Sequence, residues 1–553
     1  MLCSGCSTVN NVQKMLCSGC STVNSVQKTL WSGCYTAYVV QQMIYSRYCA
    51  VLDVLTWITI LVYYYVLMEM DDLTVNTLQL WPRKARNIIR DKELSVRVLR
   101  KKFKGNIVFP WDDNYDQQRM LFSSQIQERP LFIIRPESED EIIQALDILK
   151  IYNMTIRIVG GRHSTALQNP DIFLDMSYFN EIRLGKYLHV GAGATQGQVN
   201  AYLFENHPDC YFPGTKPNHP NSLAFPGGTA ATVGVAGIST AGGIGTLRRT
   251  LGLTVDAIKA FKIVLPPTKK EDGRVVIASK SKNSRLFWAL LGGGAANFGI
   301  VTEIYYHVMK VDRVVMYQIE WDFSEARRVL TQWQKTAPER PNNFTEDLAI
   351  FNAVDDKLGI ELTGVYVVPD GQTINNAKRL IHKELKLLGG DLTFVGDDYN
   401  TIYKRFVDER VYHSFSVGKT FLTNNEIPVD LLLERLEQAS HNNGLTYIGL
   451  QLMGGKISDK SSSETAFFPR SAKFFVDIFN FWDSPVDQEQ NMKWNGKTFN
   501  ELYPIIGPYS YLGFPVPSLV NNLRAYYGDN LERLQKIKKR IDPLGLLKFP
   551  GSL

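Results

Sequence analysis

FPGGTAATVGVAGISTAGGIG, residues 225–245, decides the reading of this chain: seven of its 21 residues are glycine, and most of the others are alanine, serine or threonine. Glycine at that density is entropically costly and needs a reason, such as backbone packed against a large planar ligand. A flexible linker has the same composition, but Val233, Val235, Ile238 and Ile244 interrupt this one with apolar anchors. A second stretch, LFWALLGGGAANFG at 286–299, repeats the pattern. Neither is a dinucleotide fingerprint of the G-x-G-x-x-G kind, because no strand–helix–strand context surrounds them. A third glycine site lies upstream, in RIVGGRHS at 157–164. There an apolar strand runs into Gly160-Gly161, exposing consecutive N–H groups that suit a pyrophosphate, with His163 close behind.

Around these loops the chain alternates strands and helices. Ser138 and Glu141 form a capping box, and Ile142, Ile143, Leu146 and Leu149 give a helical apolar stripe. Strands are expected at 155–159, 188–190, 261–265, 275–278, 300–306 and 360–368, with helices at 431–438 and, as one charged element, 518–540. The fold class is α+β in two or more domains, as 553 residues require.

Composition excludes several classes. With 44% hydrophobic and 21% charged residues the chain is neither disordered nor a small disulfide scaffold. The net charge of +6 comes from a basic stretch at 83–104, with ten Lys/Arg against two Asp/Glu; the rest is slightly acidic, so no nucleic-acid partner is expected. Six of the seven cysteines lie within residues 1–49, leaving Cys210 alone in the body, which therefore holds no internal disulfide and no cysteine metal site.

Residues 1–42 are three copies of a 14-residue unit, two of them with Cys-x-x-Cys pairs. Such pairs have zinc-ligand spacing. Tandem duplication copies spacing whether or not it binds, however, and Trp31 replaces a cysteine in the third copy. No metal is expected. Residues 50–68 carry one charge, Asp53, in nineteen positions and are expected to be an uncleaved single-pass membrane anchor. A buried helix, or a leader absent from a soluble mature protein, is the competing reading.

Seven ordered stretches resemble the berberine-bridge-enzyme-like branch of the vanillyl-alcohol-oxidase flavoproteins: RPESEDEIIQAL, RIVGGRHS, FLDMSYFNEI, VGAGATQGQV, TVGVAGISTAGGIGTLRRTLGLTVDAI, LFWALLGGGAANFGIVTEI and YYGDNLERLQKIKKRIDPLGLL. GGKISDKSSSETAFFPR is similar to that branch's substrate domain. The resemblance implies an FAD-binding domain of the p-cresol-methylhydroxylase (PCMH) type at 110–309 and an α+β substrate domain with an antiparallel sheet at 310–505. A C-terminal segment, 506–553, would return to the FAD domain; repeats (1–49), the anchor (50–68) and a basic linker (69–109) would precede them.

It implies FAD bound covalently through His163 only, because the position of a second, cysteine linkage in many members is Ala230 here. Gly160, Gly161, Arg162 and Ser164 would face the pyrophosphate, Thr232, Gly234, Gly237 and Ser239 the flavin's other side, and Ile300 or Val301 the adenosine or ring by backbone contact. Val233 matches a position that admits oxygen in the oxidases. Members often carry Tyr-x-Asn-Tyr before the last helix; residues 511–514 here are Tyr-Leu-Gly-Phe, leaving Tyr511, or the nearby Tyr509, as the expected catalytic tyrosine. The implied activity is oxidation of an alcohol group of a sugar or small metabolite, with molecular oxygen as acceptor. The alternatives are a dehydrogenase with another acceptor, or a membrane-tethered flavoprotein scaffold without turnover.

Overall fold

The computed structural model describes residues 96–553 except 105, 206–221, 312, 354–356, 397–414, 440–443, 520–521 and 550. The cysteine repeats and the anchor expected at 50–68 lie outside the described residues, as does Cys210. Among the described residues no helix is long and apolar enough to cross a membrane, and no cluster of His, Cys, Asp and Glu could hold a metal ion.

Three sheets carry the architecture. The first contains β1 (Ile107–Val108), β2 (Phe132–Ile134), β3 (Ile156–Val159) and β4 (Ile172–Asp175) in the order β1-β2-β4-β3, with β4 parallel to both neighbours. Its strands are almost continuously apolar, as strands covered on both faces must be. Between β2 and β3 runs the helix Glu139–Tyr152, capped by the Ser138 hydroxyl, which accepts from Glu141 N. The reciprocal half of the expected box differs: the Glu141 carboxylate accepts from Glu137 N instead.

Next come β5 (Ile182–Leu184), β6 (Leu188–Gly191), β7 (Ser222–Ala224), β8 (Ile258–Leu265), β9 (Arg274–Ser279), β10 (Ile300–Tyr306) and β11 (Met309–Val311). The second sheet is antiparallel with order β5-β6-β10-β8-β9, while β7 and β11 pair separately.

The third sheet has seven antiparallel strands: β12 (Val314–Trp321), β13 (Phe344–Ala353), β14 (Lys357–Val367), β15 (Asp391–Gly396), β16 (Phe415–Thr423), β17 (Gly444–Leu452) and β18 (Phe474–Trp482), ordered β15-β12-β14-β13-β17-β18-β16. Alternate residues of a strand face opposite sides. On β18 the residues Phe474, Val476, Ile478 and Asn480 face the helices: Phe474 packs on Trp333, and Asn480 bonds to Asn491. Phe475, Asp477, Phe479 and Phe481 occupy the other face, where Phe475 meets Tyr511 and Phe479 meets Phe514. That polar and aromatic face looks onto the segment following the helix Gln488–Ile506.

Arg248 and Arg249 join the third sheet to the glycine-rich region. Arg248, 1% exposed, donates to the carbonyls of Leu452, Gly245 and Glu346 and pairs with Asp347; Arg249 donates to Met453 O and Arg340 O. The C-terminal segment returns to the second glycine-rich stretch, with Leu534 beside Gly293 and Leu553 N donating to Asn297. The single helix expected at 518–540 is broken. Arg524–Tyr527 ends at Gly528 (φ 46°), and Leu531–Ile541 begins a new axis. A side chain on Gly528 would strike the Phe468 ring, so this position favours glycine on both conformational and steric grounds.

Candidate flavin site

Two glycine loops meet backbone to backbone. A Cβ on Gly161 would lie 2.0 Å from Gly234 N and 2.3 Å from Thr232 O, and one on Gly234 would lie 2.4 Å from Gly161 N. Only glycine permits that approach. The downstream loop is held from below by Gln196, whose N–H donates to Val233 O, whose Oε1 accepts from Gly228 N, and whose Nε2 donates to Ala230 O. Gly197 N donates to Ala231 O and Val235 N to Ala194 O. Sequence reading places Gln196 within a matching motif but assigns it no role; a glutamine saturated by backbone contacts has no signature of its own.

His163 stands where the loops join. Its Nε2 lies 2.8 Å from Thr232 Oγ1, and its ring stacks on Phe122 with centroids 4.3 Å apart. Burial pulls the imidazole pKa down to about 4, so the ring is neutral at physiological pH. The flanks are anchored. Arg162 adopts a left-handed backbone (φ 65°) and turns its guanidinium to Asp175, Gln118 O and Met120 O. The Arg162 guanidinium thus fixes the loop through Asp175 and two carbonyls. Beyond it, the buried Arg157–Glu128 pair (2.8 Å) holds the next turn, Arg157 donating to the carbonyls of Ser164 and Ala166.

The other expected residues separate into two groups. Gly160, Ser164, Thr232, Val233 and Gly237 retain exposed or half-exposed surface, and nothing lies within 4 Å of where a Gly237 side chain would begin. Ser239 and Val301 are turned inward: Ser239 bonds to the Tyr306 hydroxyl (2.7 Å), and Val301 is 4% exposed on β10. The half-open glycine cradle, with a neutral imidazole at its rim, is suited to a flat, phosphate-bearing cofactor such as FAD.

Opposite, Tyr511 is buried. Its hydroxyl accepts from Gly243 N at 3.1 Å, and its backbone N donates to Thr420 Oγ1. Burial raises its pKa to about 12, against the opposing effect of the Gly243 and Ile244 amides. Tyr509 instead packs on Phe468. Thr420 is the cross-strand partner of Asp477, a residue that sequence reading misses because an aspartate in an aromatic strand resembles any other polar interruption. Asp477 is 5% exposed, with Oδ2 accepting from Gln451 (3.0 Å). Its Oδ1 is pressed on Gly449 and meets no donor of good geometry among the described residues. Burial first, then the Asp347 carboxylate, raise its pKa to about 7.

Comparison with known proteins matches residues 130–276 to an FAD binding domain and residues 510–553 to the family described as berberine and berberine like. An uncharacterized FAD-linked oxidoreductase of Bacillus subtilis, YgaK, is 27% identical over 82% of this chain and 97% of its own. Reticuline oxidase of Papaver somniferum is 23% identical over 79% of this chain and 86% of its own. In fold, berberine-bridge-enzyme-like protein 28 of Arabidopsis thaliana superposes with a TM-score of 0.71 at 20% identity, covering 82% and 99%. The FAD-domain match contains both glycine loops of the cradle, and the second match begins at Ser510, next to Tyr511. On these grounds the chain is an FAD-dependent enzyme with an FAD binding domain at 130–276, and over 82% of its length it is similar to berberine-bridge-enzyme-like and FAD-linked oxidoreductases.

Proposed function

We propose that this enzyme oxidises an alcohol group of a sugar or small metabolite to the carbonyl, with molecular oxygen as the final acceptor. Bound FAD would supply the redox chemistry. In overall balance, one alcohol and one molecule of oxygen become one carbonyl compound and one molecule of hydrogen peroxide, two electrons and two protons passing from the first to the second. The protein's task is to orient the alcohol and take its hydroxyl proton while water is kept out. Asp477 is assigned as the proton acceptor, since a buried carboxyl with a pKa of about 7 is half ionised near neutrality. Tyr511, whose oxygen already accepts from Gly243 N, serves to hold the glycine-rich segment against the sheet face bearing Asp477.

The observation that carries this reading is that bridge. Tyr511 touches Thr420, opposite Asp477, through its backbone, and the flavin-side loop through its hydroxyl. The name of reticuline oxidase among the relatives favours oxygen as acceptor.

His163 is assigned as a covalent attachment point. Its Nε2 is engaged by Thr232, which leaves Nδ1 for the flavin 8α-methyl. Such a linkage would exchange one imidazole N–H and one methyl C–H for an N–C bond, with the two hydrogens passing to oxygen as peroxide. Backbone from Gly160 to Ser164 would hold the pyrophosphate, Thr232, Gly234 and Gly237 the ring, and Val233 would leave room for oxygen.

The test is hydrogen peroxide and carbonyl product from a panel of sugars and alcohols, with flavin absorbance followed anaerobically. Bleaching by one substrate class, with peroxide on admitting air, is the expected result. Bleaching without peroxide would make the enzyme a dehydrogenase. A bound flavin that no substrate bleaches would overturn the proposal in favour of a scaffold.

A further inference from the structure

The segment from Gln118 to Gln127 lies between the first glycine loop and β16, an edge strand of the seven-stranded sheet, touching both. On one side Phe122 N donates to Arg162 O (3.0 Å), the carbonyls of Gln118 and Met120 accept from the Arg162 guanidinium, and the Phe122 ring lies nearly parallel (21°) over the His163 imidazole. On the other side Ser123, 1% exposed, makes a two-way contact with β16: its hydroxyl donates to Ser416 O (3.0 Å) and accepts from Ser416 N (3.1 Å). Adjacent residues therefore carry the two contacts. One fixes a face of the imidazole, and the other occupies the free edge of the strand that pairs with β18.

Neither contact is needed for the loop's own hydrogen bonding, which Arg162–Asp175 and Arg157–Glu128 already secure. A stacked ring at 4.3 Å removes one face of the imidazole from water and restricts rotation about its side-chain bond. Together with Thr232 on Nε2, this restrains the ring and leaves Nδ1 as the nitrogen without a hydrogen-bond partner among the described residues.

We propose that Phe122 is a positioning residue that holds the His163 imidazole for flavin attachment, and that Ser123 makes this hold depend on the seven-stranded sheet being seated. The proposal rests on the covalent attachment inferred above. It predicts that attachment occurs only once the flavin-side and sheet-side parts have come together, so that the linkage marks a completed fold.

The experiment adds FAD to flavin-free protein and follows the fraction of flavin that survives denaturation, for wild type, Phe122→Ala, Phe122→Leu, Phe122→Tyr and Ser123→Ala. Leu preserves apolar volume without a flat ring, which guards against a variant that merely misfolds. Expected are a loss of tenfold or more in attachment rate for Ala and Leu, recovery with Tyr, and an intermediate rate for Ser123→Ala. FAD should still bind reversibly throughout. In parallel, nitrogen NMR of the flavin-free protein follows the His163 ring, assigned by its disappearance in His163→Gln. Its titration should move upward from about 4 in Phe122→Ala as water reaches the ring.

Wild-type attachment rates in Phe122→Ala and Phe122→Leu would overturn the positioning role. Release of all flavin from denatured wild type would overturn attachment itself. In that case an unchanged His163 titration in Phe122→Ala refutes the hold on the ring as well, whereas a shifted one supports it.

Discussion

Replacing Asp477 by asparagine keeps the shape of the side chain and removes its charge, so it tests both the proton-acceptor role and the electrostatics of the sheet face. The carboxyl is raised from 3.8 to about 7, mainly by burial and secondly by Asp347. At ~1.36 kcal/mol per pH unit, that difference is worth about 4 kcal/mol. The sign follows from proton uptake. Between pH 3.8 and 7 the folded state holds a proton that the unfolded chain has lost, so this group's contribution to stability declines as pH rises through that window. Above pH 7 its full cost is present. Asp477→Asn should therefore be no more stable than wild type near pH 4, and more stable by up to about 4 kcal/mol at pH 8. Urea titration at several pH values reads the difference.

Activity should move the other way. A positioned base is worth ~10²–10⁴-fold, so kcat/KM should fall by that order in Asp477→Asn, and the wild-type rise through about pH 7 should disappear. A stability difference independent of pH, or a variant that keeps both rate and pH limb, would refute the assignment.

Gly161→Ala places a carbon 2.0 Å from Gly234 N, where only backbone could yield; flavin content after purification should drop, with ~1–3 kcal/mol or more lost in thermal unfolding. Normal flavin loading in that variant would refute the tight joining of the loops. Val233→Leu should slow reoxidation by oxygen in stopped flow while sparing anaerobic reduction by substrate; equal slowing of both would make Val233 a packing residue. Arg248→Ala strips partners from Asp347 and three buried carbonyls, so ~3–5 kcal/mol should be lost in urea unfolding. It also removes a cation that lowers the Asp477 pKa, so the activity limb should move above pH 7, and a limb left in place would break that link.

Much of this protein is legible along the chain because the signals are local. The Gly160-Gly161 turn, the apolar anchors in 225–245 and the strand periodicity each depend on neighbours a few residues away. The strand Ile300–Tyr306 is legible to its ends, and the helix Val429–Glu437 to within two residues. Local also means that His163 can be singled out by the loop preceding it. Where local rules meet a distant partner they fail. Gly528 breaks the last helix because Phe468, sixty residues earlier, fills the space beside it. The side-chain partners of Arg162 and Ser239, Asp175 and Tyr306, are likewise set by the fold and not by their neighbours in sequence.

What only the tertiary structure decided is which groups share the site. Asp477 acquires its raised pKa from burial and from Asp347, 130 positions away in sequence, and its place opposite Thr420, to which Tyr511 N donates, from the pairing of β16 with β18. Phe122 and Ser123, neighbours in sequence, reach His163 and the edge of β16, which are 253 positions apart. A sequence specifies turn residues and apolar periods by short-range sterics and solvation. The free energy of a charge depends on everything within several ångströms of it, and that neighbourhood exists only once distant strands have paired.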